Sequence, residues 1–360
     1  MSKILMKGNE AIGEGAVRAG CRYFFGYPIT PQSELPHYLA KRMPEVGGLY
    51  LQAESEVASI NMVYGAAGTG ARVMTSSSGP GISLMQEGIS YLAGAELPCV
   101  IVNVMRGGPG LGNIAPAQSD YFQAVKGGGH GDYRLLVLAP SSVQEIIDLM
   151  KEAFDLADYW RNPVMLLGDG VLGQMMEPVE LDEDEAGDMD IPEKPWAATG
   201  RMGRARKNIV NSLYIVPEEL EKHNIKLNRK YKEMFSKEQR WEEYKLDGAE
   251  FVMVAYGTAA RICKAVVDRA REDGIAVGLI RPIVLWPFPQ EVFKRASETA
   301  NNFLAVEYSM GQMVEDVRLA VNGRKPVYHY GRSGGMLPPV VDILNEVKAI
   351  IKGARNSDSI

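Results

Sequence analysis

The fold is decided by one stretch near the start of the chain, where residues 52–81 read QAESEVASINMVYGAAGTGARVMTSSSGPG. Apolar residues recur there with helical spacing, at Val57, Ile60 and Val63. Between them stand small residues that let other backbones come close. A short strand and a Gly-Pro-Gly turn follow. The stretch predicts a helix, a strand and a turn of an α/β domain, with two carboxylates, Glu54 and Glu56, where the helix begins.

The two carboxylates have different interpretations. A carboxylate in the first turn lies near the positive end of the helix, so each could be a simple helix cap. For Glu54 the cap and a functional role stay equally open. Glu56 is followed by a nearly all-apolar helix, so its head group is expected where the helix enters a core or an interface. A carboxylate in such a place is costly unless it has a dedicated partner.

The composition excludes several classes of protein. At 360 residues the chain is long enough for two domains, and its net charge of −6 argues against a nucleic-acid-binding surface. Its three cysteines are far apart, which excludes a CxxC metal site or iron–sulfur motif and fits a reducing cytosol. The N-terminus is too polar for a signal peptide, and no apolar run approaches the roughly 20 residues that span a bilayer. We expect a cytoplasmic protein without membrane contact.

Strands and helices alternate along residues 1–180, which we predict to form the first domain. Near-continuous apolar strands in such an order indicate a mostly parallel sheet that helices cover on both faces. The predicted strands are 21–27, 49–52, 72–76, 99–105, 134–138 and 163–167, and the predicted helices are 9–19, 54–69, 81–95 and 142–157.

A charged stretch separates this domain from a second α/β unit. Residues 181–250 begin with an acidic run and continue in mixed charge with few apolar anchors, which is typical of a solvated, partly helical connector. A surface that docks a partner is the alternative. Residues 251–352 return to apolar strands, each paired with a helix, and predict a smaller second domain.

Two turns at predicted strand ends are candidates for ligand binding. The run YPITP at 27–31 follows one strand, and Pro31 suits the first position of a helix that Thr30 caps. The alternative for Thr30 is a hydroxyl that faces a ligand at the carboxyl end of the strand. Ser78 precedes the glycines of 79–81 and opens a tight turn with free backbone N–H groups. Neither G-x-G-x-x-G nor a P-loop is matched, which counts against a nucleotide-dependent dehydrogenase.

Arg106 ends the apolar strand 99–105 and opens a glycine-rich loop that can pass close to a ligand. Its guanidinium could clamp a carboxylate through a bidentate fork, and the alternative is a structural ion pair. Asn113 closes that loop and is a further candidate for substrate contact. His130, in a second glycine-rich loop, is a candidate proton shuttle or substrate contact, although loop structure alone explains its glycine neighbours equally well.

Several of these runs together resemble the α-type subunit of the 2-oxoacid:ferredoxin oxidoreductases, which are thiamine diphosphate enzymes. The similarity rests on the runs at 27–31, 54–56 and 75–81 and on Arg106, and it extends to EYSMGQ at 307–312. The sequence AESEVASINMVYG, which begins at Ala53, is most similar to the 2-oxoisovalerate, or branched-chain, members. The resemblance implies a pyrimidine-binding domain of the thiamine diphosphate type and a second domain like the C-terminal domain of transketolase.

The resemblance also implies roles for particular residues. Glu56 matches the glutamate that hydrogen-bonds the pyrimidine ring nitrogen, and Glu54 is its nearby competitor. Thr30 matches a threonine near substrate and cofactor, and Arg106 matches the arginine that faces the 2-oxoacid carboxylate. A carboxyl group in an apolar crevice can hold and share a proton with the ring nitrogen. Glu56, Thr30 and Arg106 are thus the expected catalytic residues, and further cofactor contacts are expected from Tyr27, Pro28, Ile29 and Ser78.

An active site that is split between chains follows from the same resemblance. GDG at 168–170 resembles the start of a metal–diphosphate motif, but the asparagine that should complete it is absent, so Asp169 is interpreted as a strand-end turn. No metal site is therefore expected in this chain. Mg²⁺ and the diphosphate are expected on a β-type thiamine-diphosphate-binding subunit, and the iron–sulfur clusters in partners that include a ferredoxin-like subunit. A γ-type subunit is the remaining expected partner.

The implied reaction is the oxidative decarboxylation of 2-oxoisovalerate with coenzyme A. It gives an acyl-CoA and CO₂, and the electrons pass to ferredoxin. Two alternatives stay open: a 2-oxoglutarate enzyme, whose substrate needs a second cationic group, and a non-catalytic scaffold subunit.

Overall fold

The computed structural model describes residues 3–181 and 189–354, so the acidic run at 182–188 lies outside the described residues. The elements up to residue 180 are β1 (Ile4–Lys7), α1 (Gly8–Arg18), β2 (Tyr23–Gly26), α2 (Glu34–Glu45), β3 (Leu49–Gln52), α3 (Glu56–Gly68), β4 (Val73–Ser77), α4 (Gly79–Gly94), β5 (Cys99–Met105), α5 (Tyr121–Val125), β6 (Leu136–Leu138), α6 (Val143–Trp160), β7 (Pro163–Asp169), α7 (Gly170–Gln174) and β8 (Met176–Val179). The later elements are α8 (Pro217–Lys237), β9 (Trp241–Tyr244), β10 (Phe251–Val254), α9 (Gly257–Glu272), β11 (Val277–Pro282), β12 (Val284–Trp286), α10 (Glu291–Ala296), β13 (Asn302–Glu307), α11 (Met313–Val321), β14 (Val327–Gly331) and α12 (Val340–Ile351).

A seven-stranded sheet organises the first domain, with the strand order β12-β6-β7-β5-β4-β2-β3. All neighbours in it are parallel except the edge pair of β12 with β6. Strands β4 and β5 are buried along their whole length. Helices α3 and α4 pack on one face, and α1, α2 and α6 pack on the other. The predicted parallel sheet, covered on both faces, is confirmed.

A five-stranded sheet with the order β14-β13-β10-β11-β9 forms the second domain. Its edge strand β9 comes from the range 181–250, and it pairs antiparallel with β11. Conversely, β12 belongs by sequence to the range 251–352 but forms the edge strand of the first sheet, where it pairs with β6. Helix α8 places Leu227, Tyr231 and Met234 in the core of the first domain, while its Leu220 and Ile225 are exposed. The stretch between the domains is therefore packed against both.

Two helices begin later than the sequence predicts. The predicted start at Pro31 with Thr30 as cap is wrong, because the Pro31 carbonyl accepts from the side chains of Asn9 and Gln174 instead of a helical N–H, and α2 begins only at Glu34. Helix α3 begins at Glu56, because Ser55 Oγ accepts from Ala58 N at 3.1 Å and caps it. Glu54 therefore lies outside the helix and is exposed. None of the helices in the described residues combines the length and the apolar character needed to cross a bilayer.

Candidate active site

The candidate residues lie at one edge of the first sheet. Strands β2, β4 and β5 run in the same direction, so the segments that follow them, 27–33, 78–81 and 106–116, meet at their carboxyl ends. Arg106 contacts both neighbouring segments. Its Nη1 donates to Thr30 O at 2.9 Å, and its Cγ lies 3.9 Å from the position of a Cβ built on Gly79. Open α/β sheets bind their ligands at this edge.

Glu56 is held with its carboxylate inside the protein. It is the first residue of α3 and only 6% exposed. A Cβ on Gly81 would collide with Ser77 Oγ and would lie 2.6 Å from Glu56 Oε1, so the carboxylate, the Ser77 hydroxyl and the first turn of α4 share one small space. Gly81 is required there because any side chain would displace both oxygens. Within the described chain no hydrogen bond or ion pair joins this carboxylate to another group.

Three hydroxyls at the end of β4 are buried without a hydrogen-bond partner among the described residues, and they belong to Thr75, Ser78 and Ser77, of which Ser77 shares the space of the Glu56 carboxylate. Thr75 and Ser77 are two residues apart on β4 and therefore face the same side of the sheet. Buried hydroxyls in folded proteins are normally satisfied, and an unsatisfied one costs about 1–3 kcal/mol. A group of polar atoms left open beside a buried carboxylate fits a polar ring such as an aminopyrimidine.

Arg106 is a buried cation that forms no ion pair with the described residues. The residue is 9% exposed, and its guanidinium donates only to backbone carbonyls, those of Thr30 at 2.9 Å and Leu111 at 3.3 Å. Its Nε is buried without a partner. Among residues 3–181 and 189–354 no carboxylate forms an ion pair with it, so the geometry does not support a structural ion pair. The remaining N–H groups are free to bind an anion.

Arg106 lines a cleft of about 480 Å³ between the two domains. The first domain contributes Gly79, Asp120 and the loop after Arg106, and the second contributes residues 308–312 and 333–334. Sequence reasoning missed Asp120 and gave the run at 307–312 no role beyond its family likeness. No sequence signal points to Asp120, because only the fold brings it to Arg106.

The loop of the second domain is held in place by Glu307. This carboxylate is fully buried and accepts from Ser309 Oγ at 2.6 Å and from the backbone N–H groups of Gln312 and Met313, both at 3.0 Å. Gln312 in turn donates to Ser119 O at 2.7 Å. The wall that the second domain contributes to the cleft is therefore hydrogen-bonded to the first domain.

The segment 27–30 stands at the surface of this chain. Tyr27, Pro28 and Thr30 are exposed and Ile29 is half-buried. The structure shows the Thr30 carbonyl bound to Arg106, while its hydroxyl has no described partner. Cofactor contacts from this segment stay predictions.

Asn113 and His130 lie in different places. Asn113 accepts from Ala115 N and donates to Gly334 O, both at 3.0 Å, so it connects the Arg106 loop to the second domain beside the cleft. His130 is exposed, and its loop is bound through Gly128 N to Gln86, two turns into α4. It does not line the cleft with Arg106. A substrate contact by either residue stays a prediction.

Asp169 caps α7. Its Oδ1 accepts from Val171 N at 2.9 Å and Leu172 N at 3.0 Å, and Thr258 of the second domain donates to Oδ2 at 2.5 Å. Burial raises the pKa of this carboxyl, and these hydrogen bonds partly oppose the shift. The residue thus ends a strand and connects the domains. Within the described ranges no three His, Cys, Asp or Glu side chains are grouped to hold a metal.

Sequence comparison identifies both halves of the chain. Residues 14–243 match the pyruvate flavodoxin/ferredoxin oxidoreductase thiamine diphosphate-binding family, and residues 249–343 match the core domain II of pyruvate:ferredoxin oxidoreductase. Ketoisovalerate oxidoreductase subunit VorB of Methanothermobacter thermautotrophicus is 53% identical over 97% of this chain and 98% of its own. The 2-oxoglutarate synthase subunit KorA of Archaeoglobus fulgidus is 41% identical, over 92% of this chain and 95% of its own.

Solved structures agree with this family assignment. The 2-oxoglutarate:ferredoxin oxidoreductase from Magnetococcus marinus, with 2-oxoglutarate, coenzyme A and succinyl-CoA bound, superposes with a TM-score of 0.83 and 30% identity. The match covers 97% of this chain but 65% of that one, so this chain spans about two thirds of the larger polypeptide. A split-gene transketolase, at 13% identity and a TM-score of 0.59, shares the fold. The resemblance found in the sequence is confirmed, and the chain belongs to the pyruvate flavodoxin/ferredoxin oxidoreductase family of thiamine diphosphate-dependent enzymes.

Proposed function

We propose that this chain is the pyrimidine-binding subunit of a 2-oxoacid:ferredoxin oxidoreductase that decarboxylates 2-oxoisovalerate and other branched-chain 2-oxoacids. The products are an acyl-CoA and CO₂, and the electrons pass to ferredoxin. The observation that carries the proposal is the buried Glu56 carboxylate, which has no charged partner among the described residues and lies beside the open Ser77 hydroxyl. The 53% identity to a ketoisovalerate oxidoreductase subunit supports the substrate class.

Glu56 would hold the aminopyrimidine ring through a shared proton. A carboxyl group shielded from water is a strong hydrogen-bond partner for a ring nitrogen, because no solvent competes for its proton. Ser77 and Ser78 would contact the same ring through their hydroxyls, which have no partner among residues 3–181 and 189–354. When bound, thiamine diphosphate supplies the carbon nucleophile that attacks the 2-oxo group and takes up the electrons of decarboxylation.

Arg106 would bind the substrate carboxylate. Two backbone carbonyls orient its guanidinium, and Nε together with the second hydrogen of each Nη leaves a fork for an incoming carboxylate. Among the described residues that line the cleft, Arg106 is the one cationic side chain. This supports a substrate with one carboxylate. A 2-oxoglutarate enzyme would need its second cation from a partner chain.

The partners belong to the same proposal. Mg²⁺, the cofactor's diphosphate and the iron–sulfur clusters would be carried by the β-type, γ-type and ferredoxin-like subunits. Three large apolar side chains in the segments that line the cleft, or directly beyond them, support a covering partner, since Leu111, Met310 and Met336 are 82%, 68% and 55% exposed. The cysteines are buried and unpaired, which supports a reducing cytoplasmic location.

The experiment that tests the function uses the complex co-purified with its partner subunits. Turnover is measured with 2-oxoisovalerate, 2-oxoglutarate and pyruvate, with coenzyme A present and a viologen dye as electron acceptor. We expect the highest kcat/KM with 2-oxoisovalerate. A preference for 2-oxoglutarate would contradict the substrate class. A cofactor-loaded complex that turns over none of the three would favour a scaffold role.

A further inference from the structure

Asp120 is an acidic residue that the fold holds in the cleft beside Arg106. It belongs to a segment that the second domain fixes on both sides. Gln118 Nε2 donates to Tyr256 O at 3.0 Å, Tyr308 N donates to Gln118 Oε1 at 3.1 Å, and Phe122 N donates to Gln312 Oε1 at 2.8 Å. The position of Asp120 is therefore determined by the packing of the two domains.

The carboxylate of Asp120 and the side chain of Arg106 flank the same point of the cleft. A Cβ on Gly79 would lie 3.7 Å from Asp120 Oδ2 and 3.9 Å from Arg106 Cγ. The two charged groups nevertheless form no ion pair, since Asp120 Oδ2 accepts from Asn103 Nδ2 at 3.0 Å and Arg106 donates to backbone carbonyls. Both line the cleft, so a carboxylate that binds to Arg106 arrives close to a second carboxylate.

The surroundings of Asp120 favour its neutral form. Burial raises the pKa of this carboxyl, and the Asn103 hydrogen bond and the Arg106 charge oppose the shift only in part. Tyr256, on the second domain, is the other titratable group that interacts with it electrostatically, and burial keeps that phenol protonated with a pKa well above its usual value. Tyr308, in the cleft wall, is likewise held protonated, because burial raises its pKa. Among the described residues, Arg106 is the one cation that stabilises the Asp120 anion by charge.

A ligand carboxylate changes this balance. When it neutralises Arg106, Asp120 loses the positive charge that stabilises its ionised form and gains a like charge next to it. Two carboxylates that share one site do not both stay ionised, and one of them takes up a proton. The neutral Asp120 can then donate its O–H to an oxygen of the ligand.

We propose that Asp120 is a positioning residue whose protonation is coupled to the binding of a carboxylate at Arg106. One proton moves from solvent to Asp120, and no covalent bond to carbon changes. The inference rests on the proposed role of Arg106 as the carboxylate site. It predicts that substrates bind more weakly as the pH rises, by up to about tenfold per pH unit once free Asp120 is ionised.

The test is calorimetric titration of the cofactor-loaded complex with isovalerate, which has the carboxylate but no 2-oxo group to react. Titrations in phosphate and in Tris at the same pH give the number of protons taken up, because the two buffers differ in ionisation enthalpy. We expect net proton uptake with wild type and none with Asp120→Asn, which keeps the shape and can still accept from Asn103. Glu298→Gln, which removes an exposed carboxylate, is the matched control and should behave as wild type.

The outcomes separate the two proposals. Uptake that is absent in wild type, or that persists unchanged in Asp120→Asn, overturns the inference while Arg106 stays the carboxylate site. Isovalerate binding that is equal in wild type and Arg106→Ala contradicts the proposed carboxylate site, and the inference fails with it. Turnover gives a second readout, since KM for 2-oxoisovalerate should lose its rise with pH in Asp120→Asn.

Discussion

Arg106 and Arg281 are both buried arginines, but they differ in whether carboxylates pair with them. Arg281, which is 5% exposed, donates to Glu145 at 2.8 and 3.0 Å and to Glu242 at 2.6 Å, so two carboxylates neutralise it between the domains. Within the described residues Arg106 donates only to carbonyl oxygens. Burying an unpaired charge is costly, so a fold that leaves one has it for another purpose. The contrast separates a structural charge from one kept open for a ligand.

The buried carboxylates show the same contrast. Glu14 accepts from Arg18 at 2.9 Å, from Arg42 at 3.0 Å and from the Tyr38 hydroxyl at 2.8 Å. Glu56 is about as buried but has no such partner within the described chain. Glu14 therefore stabilises the fold by its own contacts, while Glu56 would complete its hydrogen bonds only with a ligand.

The largest expected effect is that of Glu56→Gln. In the reconstituted complex this variant should lose about 10²- to 10⁴-fold in kcat, the usual contribution of a positioned proton-sharing group. Assembly and the unfolding midpoint should stay close to wild type, because the carboxylate has no partner in the part of the chain that the structure describes. Glu54→Gln is the matched control, since Glu54 is two residues away and exposed. Equal turnover in both variants would contradict a catalytic role for Glu56 that Glu54 does not share.

Arg106→Ala should weaken substrate recognition by about 2–5 kcal/mol in kcat/KM, the typical loss for truncating one member of a desolvated charged pair. Its unfolding free energy should fall less than that of Arg281→Ala, because no ion pair is broken and the nearby Asp120 carboxyl keeps its Asn103 hydrogen bond. Arg106→Lys keeps the charge without the fork and should recover only part of the loss. If the alanine variant has the KM and kcat of wild type, Arg106 does not bind the substrate carboxylate.

Arg281→Ala should show the reverse pattern. Removing this arginine leaves Glu145 and Glu242 uncompensated between the domains, which should lower the unfolding free energy by about 3 kcal/mol. Denaturant titration measures that loss. Substrate KM should follow wild type in the fraction that remains folded. A variant of unchanged stability would show that the paired cluster is not a structural one.

The smallest effect concerns Glu14. Burial raises the pKa of its carboxyl, but the Arg42 and Tyr38 hydrogen bonds and the arginine charges outweigh burial and lower it from its ordinary value of 4.5. A depressed pKa adds stability above the unfolded-state value, and this stability disappears as the pH falls through the folded-state value. Glu14→Gln should therefore be about 1–2 kcal/mol less stable at pH 7 and approach wild type in acid. A difference that does not depend on pH would contradict this.

The sequence predicts the parts of this molecule that local patterns determine. Strand β5 has the predicted bounds because seven consecutive buried residues and Arg106 delimit it. The special position of Glu56 could be inferred because an acidic residue opens an apolar helix. The edge strand β9 could not be predicted. Its partner β11 lies beyond the intervening β10 and α9, and the residues of β9 are largely charged or polar.

The same limit applies to the site. The start of α2 depends on the Asn9 and Gln174 side chains, which reach the Pro31 carbonyl from distant parts of the sequence. Asp120 enters the cleft because Gln118 and Gln312 fix its segment against the second domain. Contacts of this kind depend on how the two domains pack, and no spacing in the sequence expresses them.

The central claim is that the buried Glu56 carboxylate activates the cofactor ring. Deuterium exchange at the reactive ring carbon of thiamine diphosphate, bound to the reconstituted complex without substrate, tests it most directly. We predict that Glu56→Gln binds the cofactor but slows this exchange about 10²-fold or more, while Glu54→Gln exchanges at the wild-type rate. An exchange rate in Glu56→Gln equal to that of wild type would contradict the account.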